Sequence, residues 1–350
     1  MKVCFSRRYK PLLLLLIVVL SYGCSSPQTQ PLSDILLPPQ LQKNYFIADD
    51  GYYLPLHTYW PDGPAQGIVI ALHGFNDYSN GFTKMCEYYV ARNVACFAYD
   101  QRGFGQTVMA GLWPKAGRLQ QDLAVISKLL AKQYPDLPIY VVGESMGGAV
   151  ILTAMADNRL MLSHYLQGVV LLAPAVWARS TQPWYQRWSL WLAVHTFPDW
   201  QPTGKGLGIQ ATDNIAALRA MSSDQWVIKK TRIDALYGLT NLMDNALLAA
   251  KKISINSFIV YGNQDQVIPK KAMCSMLNNS KSAPARVAFK LYLEGYHMLS
   301  RDLQAENLFA DSYQWMFALP LLNEQRQDKQ NRSSDIITIE SDKPISYCEP

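Results

Sequence analysis

Residues 139–148, Ile-Tyr-Val-Val-Gly-Glu-Ser-Met-Gly-Gly, constrain the chain more than any other stretch. The apolar run Ile139 to Val142 has strand composition, and the small residues from Gly148 to Ala156 read as a helix. Strand and helix therefore meet in a tight turn with Ser145 at its tip. Flanking glycines leave no side chain to clash, so the backbone at the serine can take a conformation that most sequences refuse. The hydroxyl then projects from the carboxyl end of a sheet, and the N–H groups that open the helix point toward charge developing beside it. An ordinary glycine-rich turn needs none of this, so the reading depends on whether partners for the serine exist elsewhere.

A serine hydroxyl is a weak nucleophile near neutral pH and needs a base, itself held by an acid. The chain has five histidines. His57 falls in an expected hairpin, His164 ahead of a strand and His195 in an aromatic run, and all three read as structural or surface residues. His73 follows a strand directly, with Gly74 after it, which points to a backbone role for that loop. His297, in Gly295-Tyr296-His297-Met298-Leu299, lies just past the expected last strand. Asp265 ends Tyr261-Gly262-Asn263-Gln264-Asp265, one strand earlier. Serine, aspartate and histidine in that order, each after a parallel strand, put three side chains on one sheet edge.

The rest of the chain alternates strand and helix as a parallel sheet requires. Phe46–Ala48 and Tyr52–Trp60 form a hairpin around Asp49-Asp50-Gly51; Gly67–Leu72, Val94–Tyr99, Gly168–Leu172, Ser257–Tyr261 and Ala288–Leu293 are further strands. The rhythm stops between about residues 176 and 255. That interval holds Trp177, Trp184, Trp188, Trp191, Trp200 and Trp226, six of the nine tryptophans. Trp184, Trp188 and Trp191 share one helical face. Two readings of that face stand side by side: packing on the sheet domain, or a cap over the site whose apolar surface binds an acyl chain or touches lipid.

These motifs resemble the monoacylglycerol lipase and lysophospholipase branch of the α/β-hydrolases, which also contains serine aminopeptidases. The shared positions are His73-Gly74-Phe75, Asp100 to Gly105, Gly143 to Gly148, Gly262 to Asp265 and Gly295 to His297. The resemblance spans about residues 44 to 319. It implies an α/β-hydrolase fold, a mostly parallel sheet with helices on both faces and a helical cap inserted before the acid-bearing strand. It also implies that Ser145 is the nucleophile, His297 the general base and then acid, and Asp265 the orienting acid. The backbone N–H groups of Phe75 and Met146 would form the oxyanion hole. His73 and the Asp100/Arg102 pair read as scaffold. Glu144 stands where these enzymes more often carry histidine, a departure expected to tune the site. The expected activity is hydrolysis of carboxylic esters of single-chain lipids, monoacylglycerols or lysophospholipids, through an acyl-enzyme. An aminopeptidase or amidase on the same three residues is the alternative, with Asp199, Asp213, Asp224 and Asp234 available to bind a free amine. A non-catalytic, surface-anchored binding protein is the alternative of a different class. A carboxylate nucleophile, as a dehalogenase needs, is excluded by the serine.

Lys2, Arg7, Arg8 and Lys10 carry four of the five net positive charges, and the remainder has no basic stripe, so nucleic acid is not an expected partner. Those residues precede nine consecutive apolar residues, Leu12 to Leu20, which suit a signal-peptide core and fall short of the roughly 20 a spanning helix needs. Leu20-Ser21-Tyr22-Gly23-Cys24 resembles a bacterial lipobox. The expected division is a signal peptide over 1–23, a lipidated Cys24 with a tether to residue 43, the hydrolase domain over 44–322 and a polar tail over 323–350. The expected partners are a lipid or small ester substrate and a membrane reached through the lipid anchor. Export follows, and Ser25 after the cysteine favours the outer membrane. In an oxidising compartment Cys86, Cys96, Cys274 and Cys348 can pair in three ways, and spacing does not choose among them. No C-x-x-C and no tight His/Cys cluster occurs, so no metal is expected, and no organic cofactor is implied.

Overall fold

The computed structural model describes residues 25–33, 36–157, 162–318, 336–340, 343 and 345–349; the expected signal peptide, Cys24 and residues 319–335 lie outside them. Ten strands form one sheet: β1 (Gln40–Leu41), β2 (Tyr45–Ile47), β3 (Tyr53–Tyr59), β4 (Gly67–Leu72), β5 (Val94–Tyr99), β6 (Ile139–Glu144), β7 (Leu166–Leu172), β8 (Ser257–Gly262), β9 (Val287–Tyr292) and β10 (Ile337–Thr338). Their spatial order is β1-β2-β3-β5-β4-β6-β7-β8-β9-β10. The six strands from β5 to β9 run parallel, and β3 and β10 pair antiparallel with the outer two. Strands β4, β5, β6 and β8 are buried along their whole length, which explains why they read as unbroken apolar runs and not as alternating ones.

Among the described residues eight α-helices accompany the sheet: α1 (Thr83–Val90), α2 (Arg118–Gln133), α3 (Met146–Ala156), α4 (Trp184–Thr196), α5 (Ile215–Ser223), α6 (Ile233–Ala249), α7 (Lys270–Ser280) and α8 (Ala305–Tyr313). Helix α1 packs with α8, while α2, α3, α6 and α7 form a second group. Because β4 lies between β5 and β6, the chain leaves β4 on one side and returns on the other. Loops at the carboxyl ends of β4 and β6 therefore diverge, and such a switch point opens a crevice. Helices α4, α5 and α6 come between β7 and β8 in the chain, as the interrupted rhythm predicts.

The structure pairs Cys86 with Cys96, joining α1 to β5, and Cys274 with Cys348, joining α7 to the chain end. It also corrects one expectation and chooses between the two readings of the tryptophan face. The segment expected as a tether is docked: Gln30 is buried, its N–H donating to Trp113 O at 2.9 Å and its Nε2 to Leu112 O at 2.9 Å. Gln28 accepts from Arg232 Nη2, and β1 extends the sheet ahead of Asn44. The far end of the polar tail likewise joins the fold through β10 and a buried Ile345, because a hydrophobic side chain and a disulfide hold it there. Finally, the tryptophan face does not pack on the sheet domain. Trp184, Trp188 and Trp191 are 68%, 60% and 49% exposed, and Val194 is the one buried residue of α4.

Candidate active site

The serine turn is built by close backbone approach. A Cβ on Gly147 would lie 2.1 Å from Leu72 O, and one on Gly143 would lie 2.6 Å from the Gly147 carbonyl carbon, so side chains are barred at both positions. Ser145 takes φ 52° and ψ −111°, conformations few non-glycine residues adopt. It is held there from both sides: its N–H donates to Leu172 O at 2.9 Å, and its carbonyl accepts from Ala175 N at 2.9 Å. Helix α3 begins at the next residue, Met146, so the N–H groups of its first turn have no partner within the helix.

The loops after β8 and β9 are packed backbone to backbone. A Cβ on Gly262 would meet Gly295 O at 2.3 Å, and Gln264 N–H donates to Gly295 O at 2.8 Å. This contact brings two side chains together that lie 32 residues apart in the chain: His297 Nδ1–H donates to Asp265 Oδ2 at 2.8 Å. The other ring nitrogen, Nε2, stands 3.0 Å from Ser145 Oγ. Asp265 Oδ1 accepts the N–H groups of Val267 and Ile268 at 2.7 and 2.9 Å, which fixes the carboxylate and leaves Oδ2 for the imidazole. Burial acts to lower the pKa of His297, but the charge and hydrogen bond of Asp265, with Glu144 and Asp302 adding to them, outweigh it and raise the pKa. An imidazole so placed can draw the serine proton, and the Asp265 carboxylate stabilises the imidazolium that results.

The loop after β4 closes the other side of the serine. A Cβ on Gly74 would lie 3.4 Å from Ser145 Cβ, so Phe75 follows immediately beside the turn. Its ring packs on Phe104 and Trp113, with centroids 5.5 and 6.1 Å away. His73 is wholly buried and reads as scaffold in detail: Nδ1–H donates to Gly74 O at 2.8 Å, and Nε2 accepts from Gln101 N–H at 2.8 Å. Burial lowers its pKa, so it is a neutral strut. Asp100 accepts from Ser79 and Gln106, and Arg102 bridges Asp50 and Asp122 of α2, bonds that fasten the loop after β5 to its surroundings. The cap is bonded to this edge directly. Ile228 N–H donates to Asn76 O at 2.9 Å and Met298 N–H to Ala211 O at 2.8 Å.

Sequence reasoning named Ser145, Asp265, His297, Phe75 and Met146, and all five lie at this one edge. It missed Trp113 and Arg301, and neither sits in a recognisable motif; the one hint of Arg301 was the unusual Glu144. The four cap acids each act on a group of the chain itself. Asp224 accepts from Tyr78 Oη, Asp234 pairs with Arg232, Asp213 accepts from Leu303 N–H and Asp199 adds to the field on Arg232. No group of three or more metal-binding side chains occurs among the described residues.

A parallel sheet with a strained serine turn, a reversal of strand order beside it and a histidine and acid on the last loops defines an α/β-hydrolase, and the protein is a serine hydrolase of that superfamily. The family model for serine aminopeptidase, S33, matches residues 63–304, and the chain belongs to that family. It is similar to the monoglyceride lipase of Mus musculus, with 23% identity over 79% of this chain and 88% of that one. It is also similar to the caffeoylshikimate esterase of Arabidopsis thaliana, with 26% identity over 78% of this chain and 84% of that one. Among solved structures, a thermostable carboxyl esterase from Bacillus coagulans, crystallised with glycerol, superposes with a TM-score of 0.66 at 20% identity. It covers 79% of this chain and 97% of its own.

Proposed function

We propose that this hydrolase cleaves carboxylic esters of single-chain lipids, monoacylglycerols or lysophospholipids, by way of an acyl-enzyme. The observation that carries the proposal is the continuous path Ser145 Oγ, His297 Nε2, His297 Nδ1, Asp265 Oδ2, with spacings of 3.0 and 2.8 Å at its two hydrogen bonds. In the first half-reaction Ser145 Oγ attacks the ester carbonyl while His297 Nε2 takes its proton. The backbone N–H groups of Phe75 and Met146 hold the oxyanion, each such donor being worth about 3 kcal/mol of activation free energy. Collapse expels the alcohol, which takes the proton from His297. Water, deprotonated by the same nitrogen, then releases the fatty acid.

The lipid character of the substrate is supported by the monoglyceride lipases among the relatives and by the outward tryptophans of α4. We further read the protein as exported and anchored through Cys24 to a membrane, the outer membrane by preference. Two observations support this. Both disulfides suit an oxidising compartment. And Ser25, the residue after Cys24, donates its N–H to His195 O at 3.3 Å, at the last turn of the tryptophan helix, so acyl chains and indoles would share one face.

Labelling by a fluorophosphonate probe tests the mechanism, and kcat/KM on a monoacylglycerol against an aminoacyl anilide tests the substrate. Wild-type labelling that disappears in Ser145→Ala, with kcat falling by roughly a thousandfold or more, is expected. A folded wild type that does not label would sink the proposal, and preference for the anilide would make the protein an aminopeptidase.

A further inference from the structure

Behind the serine lies a buried group of charges that the mechanism above does not use. Glu144, the residue before Ser145, is buried; one oxygen accepts Ser300 N–H at 3.3 Å and the other lies 3.9 Å from Arg301 Nη1. Arg301 in turn forms an ion pair with Asp77 at 2.7 Å, and both side chains are almost wholly enclosed. These three residues belong to three different loops. Asp77 ends the loop that carries Phe75, Glu144 ends β6 at the serine turn, and Arg301 follows His297 by four residues. The charged and titratable groups around them are His73, on which Asp77, Asp100 and Arg301 act; Tyr78, which acts on Arg301 and donates to Asp224; and Asp265 and Asp302, which act with Glu144 on His297.

We propose that Asp77, Arg301 and Glu144 form a positioning unit, in which Arg301 clamps the Phe75 loop to the His297 loop and the Glu144 carboxylate stabilises the imidazolium that forms during attack. The proposal rests on the assignment of Ser145 and His297 as nucleophile and base. Its physical reason lies in what an isolated buried charge would cost. A buried carboxylate without an opposite charge is costly, and a single guanidinium lies beside both, 2.7 Å from Asp77 Oδ2 and 3.9 Å from Glu144 Oε2. Burial raises the pKa of Glu144, and Arg301 and the Ser300 N–H oppose that rise without cancelling it; burial likewise acts against the Arg301 charge, which Asp77 more than restores. Because Arg301 can satisfy both acids only while the three loops keep their spacing, the geometry of Phe75, Ser145 and His297 is coupled through one side chain. A neutral residue at 144 would leave the fold of the turn intact and remove an anion from beside the base.

The test compares wild type, Glu144→Gln, Glu144→His, Arg301→Gln and Arg301→Lys between about pH 5 and 9. The first readout is the pseudo-first-order rate constant of fluorophosphonate labelling, which reports each folded molecule and is insensitive to how many have folded. Both Glu144 variants should move the acid limb of that profile to lower pH by roughly half a unit or more, since the imidazolium loses a neighbouring anion. Arg301→Gln should lower kcat on a monoacylglycerol by about tenfold with KM nearly unchanged, and Arg301→Lys should recover most of it. An acid limb that stays at the wild-type pH in both Glu144 variants would overturn the proposal. So would Arg301 variants that change melting temperature alone. No labelling of the wild type would instead remove the catalytic assignment on which the unit rests.

Discussion

Ser145 pays for its position with backbone strain. At φ 52° and ψ −111° a side chain costs about 1–3 kcal/mol relative to a relaxed residue, and glycine escapes most of that cost. Ser145→Gly should therefore unfold at higher denaturant than Ser145→Ala by about 1 kcal/mol, although both are inactive; equal midpoints would mean that the turn is relaxed. The pKa of His297, raised above its ordinary 6.5, makes a second expectation. Activity needs the neutral imidazole, so kcat/KM falls as pH drops through a midpoint above that value. Stability moves the other way: the extra affinity of the folded state for this proton is fully expressed below 6.5 and is lost as pH rises through the raised pKa. Asp265→Asn should shift the acid limb downward and reduce kcat by roughly 10³- to 10⁴-fold, read from a pH–rate profile. At this scale the sequence was informative for Ser145, Asp265 and His297, because each sits beside glycines that the local backbone demands. Arg301 was silent, since an ion pair across three loops leaves no local pattern.

Among the elements, α4 shows where periodicity stops being informative. Spacings of four and three put Trp184, Trp188 and Trp191 on one face, but they do not say whether that face looks in or out. The partner surface decides this, and it lies far away in the chain: Val194 alone is buried, and α4 leans on α6. Exposed indoles contribute little to folding and much to an interface with lipid. Replacing Trp184 and Trp188 by alanine should leave the melting temperature within about 2 °C and lower partitioning onto phosphatidylglycerol–phosphatidylethanolamine vesicles severalfold, read by sedimentation. A large fall in melting temperature would mean that the face is part of the core after all. The segment Ser25–Gln30 was equally opaque. Its proline and glutamine content resembles a linker, and only the buried amide of Gln30, bonded to the loop under Trp113, reveals that it is fastened.

For the whole molecule, the parallel strands from β5 to β9 followed from the alternation of strand and helix and the β2–β3 hairpin from its turn, whereas β1 and β10 did not. Strand β10 is two residues long, lies in a short apolar patch, Ile336 to Ile339, within a polar stretch, and is followed by a disulfide whose cysteines lie 74 residues apart. Closing a loop of that size stabilises by about 4 kcal/mol in the chain-entropy limit. Cys348→Ser should approach that loss in a urea titration under oxidising conditions; a change below about 1 kcal/mol would mean that the chain end contributes little. The same feature has a consequence for association between molecules. Strand β9 without its short partner would turn the backbone N–H and C=O groups of every second residue along a six-residue border to solvent. At the opposite border the sheet ends in β1, again two residues long. Among the described residues the sheet therefore closes on a two-residue strand at each border, a poor template for a second copy to extend, and the two least conspicuous strands discourage fibre-like growth in a crowded population of these molecules.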